Sequence, residues 1–397
     1  MSDTHDPVVI VDFARTPMGG FQGDFAGVTA AELGATAIRA AVHRSGLRLD
    51  MVDEVIMGCV LPAGQGQAPA RQAALGAGLP VGTGATTINK MCGSGMKAVM
   101  QAHDAILAGS ADIVVAGGME SMSNAPYLLP KARGGMRMGH GQVMDHMFLD
   151  GLEDAYDKGR LMGTFAEDCA GAYGFSREKQ DDFAIASLTR ARDAIAGGHF
   201  KAEIAPVTVT TRKGEVVVDT DEQPGKANPA KIRDLKPAFR KDGTVTAANA
   251  SSISDGAAAL VLMRLSRAKA LGLVPRGVIR GHSTFADKPS LFPTAPVGAM
   301  KKLVERVDWT FPETDLFEIN EAFAVVTMAA MHDLHLPHDK VNIHGGACAL
   351  GHPIGASGAR VLVTLLAALE THGMDKGMAS LCIGGGEATA MAVERFA

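Results

Sequence analysis

Cys92 has the sequence surroundings of a reactive thiol. It lies in NKMCGSGMK (Asn89–Lys97), where the glycines and serine predict a turn and the residues after them a helix. A thiol at a helix N-terminus has a lowered pKa, because unsatisfied N–H groups and the helix dipole stabilise the thiolate. We therefore expect a nucleophile here. The same motif also suits a small buried hydrophobic residue, which is the commoner role of an isolated cysteine.

Two further residues could move protons. His352 lies in ALGHPIGASG between Gly351 and Pro353, so its imidazole could take a proton from a thiol, or could simply bond to a turn backbone. Cys382 follows the apolar run MASL and precedes IGGGE. This pattern places it near the end of a strand, where active sites of open α/β folds lie, although a core cysteine fits the pattern too. The glycines after it would let backbone N–H groups approach a ligand, as an oxyanion hole requires.

Asn320 and Glu321 form a polar pair inside the apolar segment FEINEAFAVV. Buried polar groups need partners, so the pair belongs either to a structural bonding network or to a site. His332, His335 and His338 have spacings that a metal would tolerate, but Pro337 breaks the helix and favours solvated histidines. No GxxxxGK[ST] motif and no GxGxxG after a strand is present.

Alternating elements must position these residues. Apolar, β-branched runs predict buried parallel strands at Val8–Val11, Ile113–Val115 and Leu381–Ile383. Alanine-rich patterns predict helices at Thr29–Arg44, at Ala359–Thr371 and from Ser176, as N-cap, to about Gly197. This alternation indicates a layered α/β fold with right-handed crossovers.

A weak internal repeat links the segments that hold the candidate residues. Cys92–Val99 (CGSGMKAV) resembles Gly355–Leu362 (GASGARVL), and Ile113–Ser121 (IVVAGGMES) resembles Ser380–Thr389 (SLCIGGGEAT). Two matches in the same order suggest two similar α/β halves, although short glycine-rich matches also arise by chance. The stretch of about 120–245 lacks this pattern and is expected to be a lid-like insertion in the first half.

Composition excludes several classes of protein. With 397 residues, 47% hydrophobic, 20% charged and a formal net charge of −5, the chain suits a globular α/β protein of two or three domains without a basic field for nucleic acid or anionic lipid. Its start lacks the features of a signal peptide and no apolar run is long enough for a membrane span, so we expect a cytoplasmic protein. Five widely spaced cysteines without a CxxC pair support neither disulfides nor structural zinc.

Taken together, the sequence resembles the thiolase family over nearly its whole length. Six ordered blocks carry this resemblance: NKMCGSGMKAV (Asn89–Val99), AGGMESMSNAPY (Ala116–Tyr127), TVTAANASSISDGAAA (Thr244–Ala259), NEAF (Asn320–Phe323), GGACALGHPIGASGAR (Gly345–Arg360) and CIGGG (Cys382–Gly386). The resemblance implies a duplicated five-layer α/β/α/β/α core with an inserted loop domain. The implied divisions are an N-terminal half of 1–120 plus 245–273, a loop domain of 121–244 and a C-terminal half of 274–397.

The resemblance also implies roles for the candidate residues. His352 deprotonates Cys92, which takes an acyl group from acyl-CoA, and Cys382 then removes the α-proton of a second acetyl-CoA. One oxyanion hole is assigned to His352 with a water held by Asn320, and the other to the N–H groups of Cys92 and Gly384. Losing one such donor typically costs about 3–4 kcal/mol.

Coenzyme A contacts follow from the same match. The residues implied are Ser251, Phe239, Met162, Ala322 and Phe323, with Lys226 a further candidate for the phosphates. Leu161 stands where many biosynthetic thiolases have histidine, which removes a polar contact near the pantetheine. Leu291–Ala299 (LFPTAPVGA) looks closer to acetoacetyl-CoA thiolases and favours a short acyl chain. Neither a permanently bound cofactor nor a metal is expected.

The expected activity is therefore that of an acetyl-CoA C-acetyltransferase acting on acetyl-CoA, acetoacetyl-CoA and CoA. Alternatives are a degradative 3-ketoacyl-CoA thiolase of broader chain length and a non-catalytic acyl-CoA-binding relative. Retention of the acid–base set argues against the last, because binding alone needs none of it. The resemblance further implies a homotetramer, with Gly134–Gly141 in the tetramer loop.

Overall fold

A ten-stranded mixed sheet organises the protein, which was analysed as a computed structural model. The structure describes residues 6–396, so the ends of the two predicted halves, at 1–5 and 397, lie outside the described residues. No helix in the described part of the chain is long and apolar enough to cross a membrane.

The strands and helices alternate along the chain. The strands are β1 (Val8–Arg15), β2 (Gly19–Gly20), β3 (Glu54–Gly58), β4 (Gly84–Ile88), β5 (Ile113–Ser121), β6 (Tyr127–Leu128), β7 (Met144–Asp145), β8 (Val207–Thr211), β9 (Gly214–Val218), β10 (Ser254–Arg264), β11 (Gly277–Ala286), β12 (Leu316–Ile319), β13 (Lys376–Ile383) and β14 (Glu387–Arg395). The α-helices are α1 (Ala30–Arg44), α2 (Pro69–Gly76), α3 (Ser94–Ala108), α4 (Met162–Tyr173), α5 (Arg177–Gly197), α6 (Glu222–Lys226), α7 (Leu265–Ala270), α8 (Ala295–Val307), α9 (Ala324–Leu334), α10 (Ala347–Leu350) and α11 (Ser357–His372).

The strand order repeats itself in the two halves of the sheet. The order is β12-β13-β14-β11-β1-β10-β5-β3-β4, with β2 beside β10. In the first half β1, β10 and β5 are antiparallel and β3 follows in parallel; β11, β14, β13 and β12 repeat this pattern. Val341 makes a parallel bridge to Phe317 of β12, at the position that β4 occupies in the first half. The predicted duplication is therefore confirmed.

Helices α3 and α11 form the central layer, in contact with each other and with strands of both halves. They approach closely: a Cβ on Gly95 would lie 2.7 Å from the backbone N of Ala359, and one on Gly358 would lie 2.3 Å from that of Met96. Only glycine allows this backbone contact. Helices α1 and α2 cover the outer face of the first half, and α8 and α9 that of the second. This arrangement is the five-layer α/β/α/β/α core that the resemblance implied.

Local signals predicted the helix ends well. Thr29 caps α1 with a capping box to Glu32, and Ser176 caps α5 by accepting a hydrogen bond from the N–H of Lys179. Helix α5 ends at Gly197 and is capped by Gly198, whose φ of +73° lies in the left-handed region.

The expectation of all-parallel strands is wrong. Strand β1 is antiparallel to both of its neighbours, and β5 and β13 each have one parallel and one antiparallel neighbour. Apolar runs report that both faces of a strand are buried, but they carry no information on its direction. The turn at Gly384–Gly386 joins β13 to β14 directly, and so short a connection requires an antiparallel pair.

The two repeat motifs differ in how their glycines are used. Both Gly/Ser motifs open helices, α3 and α11, as predicted. Strand β5 continues through Gly117 and Gly118, where a Cβ on Gly118 would lie 2.0 Å from the carbonyl oxygen of Gly355. In the second half the strand ends at Ile383 and the glycines form the turn instead.

The segment between β5 and β10 contains α4, α5, α6 and two small two-stranded sheets, β6–β7 and β8–β9. Helix α5 packs against α10, which precedes His352, and α4 packs against α9. The segment therefore covers the side of the second half on which the candidate residues lie.

Candidate active site

The candidate residues meet at one cavity of about 370 Å³. Every predicted catalytic and coenzyme A residue except Asn320 and Lys226 lines it: Cys92, His352, Cys382, Gly384, Ser251, Phe239, Met162, Ala322 and Phe323. Asn320 is fully buried directly behind His352. Both halves and the inserted segment thus contribute to a single site.

A strained turn presents Cys92 to the cavity. Met91 has φ +46°, a left-handed conformation that costs a non-glycine residue about 1–2 kcal/mol. Ser94 holds this turn, because its hydroxyl accepts from the N–H of Lys90 at 2.8 Å and donates to the carbonyl of Met91 at 2.6 Å. Cys92 itself remains partly exposed.

The expectation of a lowered pKa at Cys92 is wrong. Burial raises the pKa of this thiol, and the charge of Glu120 adds to the rise, while the backbone N–H groups of Gly384 and of Cys92 itself oppose it. Loss of water around the sulfur therefore outweighs the helix N-terminus. The resting residue is a thiol, so a base must remove its proton as it reacts.

The surroundings of His352 leave one ring nitrogen free to accept a proton. Its Nδ1 lies 2.5 Å from the hydroxyl of Ser357, and this hydroxyl donates to the carbonyl of Pro353 at 3.0 Å. Ser357 therefore accepts a hydrogen bond from Nδ1–H, which leaves the lone pair of the ring on Nε2. This Nε2 atom is buried and has no hydrogen-bond partner. Burial and the positive charge of Arg360 lower the pKa of His352 to about 3, so the ring is neutral at physiological pH.

Acidification tests this assignment. The unfolded chain protonates His352 below its ordinary pKa of 6.5, whereas the native ring stays neutral down to about 3, so stability is lost as pH falls through this window. Between pH 7 and pH 5 the loss from this residue is about 2 kcal/mol. We expect urea unfolding of His352→Asn to depend less on pH by this amount, with exposed His43→Asn as the control. Equal pH dependence in wild type and His352→Asn would contradict the assignment.

Of the neighbours Asn320 and Glu321, one lies at the candidate site and the other belongs to a structural bonding network. The amide nitrogen of Asn320 lies 3.5 Å from Nδ1 of His352, and its oxygen accepts from Arg360 at 3.4 Å. Glu321 accepts instead from Ser187 at 2.7 Å, Asn342 at 2.8 Å and the N–H of Cys348 at 3.0 Å. Asn320 therefore lies at the site, whereas Glu321 ties surrounding elements together.

Cys382 and Gly384 lie at the same end of the cavity as Cys92. Cys382 is the penultimate residue of β13, and burial together with a charge on Cys92 raises its pKa well above the ordinary value. The N–H of Gly384 points at the sulfur of Cys92. Gly385 and Gly386 have φ of +95° and +88°, which only glycine adopts readily, and this turn holds the Gly384 amide in place.

The remainder of the cavity is largely apolar. Phe239 and Phe323 pack edge to face with ring centroids 6.0 Å apart, and Leu161 and Met162 lie at the start of α4. The hydroxyl of Ser251 donates to the carbonyl of Ala322 at 2.9 Å. Leu161 contributes an apolar side chain to this wall, at the position where the resemblance implied a histidine in many related proteins.

The structure does not bring Lys226 to this cavity. Its ammonium group pairs with Glu222 within α6, and its side chain is largely exposed. A lysine in a polar loop is equally able to serve a surface ion pair, so the sequence could not place it.

Sequence reasoning missed two supporting residues. Ser357 fixes the tautomer of His352, and a serine five residues after the histidine was the available signal. Glu120 accepts the N–H groups of Val60, Leu61 and Gly355 at 2.9–3.1 Å, and burial raises its pKa to about 7. The available signal for Glu120 was a glutamate near the end of the apolar strand β5.

Comparison with known proteins places the chain in a family. The model of the thiolase N-terminal domain matches residues 8–266 and that of the thiolase C-terminal domain matches residues 273–395. The chain belongs to the thiolase family. This thiolase is 50% identical over 390 residues to a Pseudomonas aeruginosa acetyl-CoA acetyltransferase, covering 98% of this chain and 99% of the relative.

Other similar proteins agree with this assignment. The thiolase is 48% identical over 394 residues to acetyl-CoA acetyltransferase IA of Candida tropicalis, with 98% of each chain covered. It superimposes on the crystal structure of the Bacillus anthracis acetyl-CoA acetyltransferase with a TM-score of 0.95, at 43% identity and 98% coverage of both chains. The predicted family and fold are confirmed.

Proposed function

We propose that this thiolase is an acetyl-CoA C-acetyltransferase, which condenses two acetyl-CoA molecules to acetoacetyl-CoA and CoA and catalyses the reverse thiolysis. Relatives of about 50% identity over the full length carry that name. The observation that supports it most strongly is the buried, unpaired Nε2 of His352 in a cavity shared with two thiols and the Gly384 amide. A binding protein needs no such base.

In the first half-reaction Cys92 attacks the thioester carbonyl of acetyl-CoA. Nε2 of His352 takes the thiol proton, and the N–H groups of Cys92 and Gly384 stabilise the tetrahedral oxyanion. The C–S bond to CoA then breaks, and the departing CoA thiolate takes a proton from Cys382. The products are acetyl-Cys92, protonated His352, the thiolate of Cys382 and free CoA.

In the second half-reaction the Cys382 thiolate removes an α-proton from another acetyl-CoA. The high pKa of this thiol makes its thiolate a strong base, as a weakly acidic C–H bond requires. Protonated Nε2 of His352, with a water held by Asn320, donates to the enolate oxygen. The enolate carbon attacks acetyl-Cys92, and the expelled Cys92 thiolate regains its proton from His352, which closes the cycle.

Substrate length separates this proposal from its nearest rival. Thiolysis of acetoacetyl-CoA, 3-ketohexanoyl-CoA and 3-ketodecanoyl-CoA can be followed by loss of 3-ketoacyl-CoA absorbance. We expect efficient turnover of acetoacetyl-CoA alone, because the bulky rings of Phe292 and Phe323 line the apolar wall beside Cys382. Comparable rates on all three substrates would indicate a degradative 3-ketoacyl-CoA thiolase. Inactivity on all three would overturn both and favour an acyl-CoA-binding protein.

We propose the same division of the chain as the resemblance implied, with halves of 1–120 plus 245–273 and 274–397 around a loop domain of 121–244. Strand β10, which completes the sheet of the first half, and β11, which opens the second, support these limits. Cytoplasmic location and a homotetramer stay predictions.

A further inference from the structure

Three histidines from distant parts of the chain meet outside the active-site cavity. His199 opens a short 3₁₀ helix directly after α5, His344 lies in the loop between Val341 and α10, and His372 is the last residue of α11. We call them the histidine cluster. They join the inserted segment to the second half of the core.

Their ring nitrogens converge on one point. Nε2 of His344 lies 3.1 Å from Nδ1 of His199 and 3.0 Å from Nε2 of His372, and the three nitrogens all lie within 4.8 Å of one another. Nitrogens bound to a tetrahedral Zn²⁺ at 2.0–2.1 Å are about 3.3 Å apart. Small rotations of the rings would therefore bring the cluster to metal-binding geometry.

Hydrogen bonds alone satisfy this arrangement poorly. Nε2 of His344 carries either one proton or one lone pair, so it can form one well-directed hydrogen bond, yet two ring nitrogens approach it. His344 is 4% exposed, and burial together with the other two imidazoles lowers its pKa to about 4. The neutral ring of His344 is thus held close to the other two imidazoles, with no room for a proton at every contact between ring nitrogens.

We propose that the histidine cluster binds a divalent late transition-metal ion, with Zn²⁺ the best match. Imidazole nitrogen is a preferred ligand of Zn²⁺, and three histidines with one open position make a common zinc site. His372 is exposed, which leaves a path for the ion and room for a water as fourth ligand.

The other candidate cluster is better explained without metal. His103 and His282 both bond to the same carboxylate oxygen of Asp104, at 3.0 and 2.9 Å, in an arrangement that hydrogen bonds satisfy. Within residues 6–396, the Nε2 atom of His344 meets only ring nitrogens and no carboxylate.

An ion in this site would act as a structural clamp. It would connect the end of α5 to α11 and to the segment that runs from His344 through α10 to His352. A metal that binds only the native state stabilises it by RT ln(1 + [M]/Kd), so stability rises with the free metal concentration relative to Kd. We expect an effect on stability, and this proposal does not depend on the reaction that the cavity catalyses.

Metal uptake by the full-length, metal-free protein tests the proposal. Equilibrium dialysis against ZnCl₂ is expected to give one tight equivalent, with a rise in melting temperature. Removal of a metal's outer partner typically costs 10–100-fold in affinity, so loss of a direct ligand in His372→Gln or His199→Gln should cost about 100-fold or more and remove the thermal shift. Exposed His43→Gln should bind like wild type.

Substitution with Co²⁺ separates the cluster from the active-site thiols. Nitrogen ligation gives visible d–d bands without a sulfur-to-cobalt charge-transfer band, and these bands should disappear in His372→Gln. Absence of a tight equivalent, unchanged affinity in both cluster variants, or a strong charge-transfer band from thiolate ligation would each overturn the proposal.

Discussion

Cys92→Ala is expected to lose essentially all thiolysis of acetoacetyl-CoA. The variant has no sulfur to carry the acyl group, and removal of a catalytic nucleophile typically costs about 10⁴-fold or more in kcat. Cys382 cannot take over as the nucleophile, because it is buried and this burial raises the pKa of its thiol well above the ordinary value. Absorbance of the 3-ketoacyl-CoA measures the loss directly.

Cys169→Ala is the matched control for this experiment. Cys169 is a buried thiol on α4 that does not line the cavity, and burial raises its pKa to about 12. This variant should keep wild-type activity to within a small factor. Activity of Cys92→Ala within tenfold of wild type would exclude an acyl-Cys92 intermediate.

Cys382→Ala is expected to separate the two half-reactions. Loss of a positioned acid–base group costs about 10²–10⁴-fold, and the carbon–carbon step depends on it most. Acetyl transfer from acetyl-CoA to Cys92 should persist at a reduced rate, because His352 still removes the thiol proton. Intact-protein mass should therefore gain one acetyl group, while condensation and exchange of the acetyl-CoA methyl protons with D₂O are both lost.

The D₂O exchange is the decisive part of that prediction. If Cys382 had only a structural role, its loss would lower the rates of acetylation and of methyl-proton exchange by similar factors. If Cys382 is the base, its loss should abolish exchange while acetylation continues at a reduced rate. Retained methyl-proton exchange in Cys382→Ala would assign α-proton removal to another group.

Much of the site was predictable from short motifs. Cys92, His352 and Cys382 each occur beside glycines at the end of an apolar or turn segment, and the structure places all three at one cavity. The repeat of Cys92–Val99 in Gly355–Leu362 also predicted that both motifs open a helix. The close packing of these helices, α3 and α11, at their glycines was found only in the structure.

Properties that depend on distant neighbours were not predictable. The pKa of Cys92 depends on how much water the folded site removes, which motif spacing does not contain, so the helix-terminus argument gave the wrong direction. The predicted strand directions were wrong for a similar reason, because an apolar run buried on both faces has the same sequence pattern in a parallel and in an antiparallel strand. The histidine cluster joins residues separated by 145 and 28 positions, and no local pattern connects them.

Trapping the acyl-enzyme tests the central claim most directly. The wild-type protein is mixed with [¹⁴C]acetyl-CoA, quenched with acid within one turnover, digested and mapped by mass spectrometry. The account predicts label on the peptide that contains Cys92, removed when free CoA is added before the quench. Label on another residue, or an active enzyme without covalent label under these conditions, would contradict it.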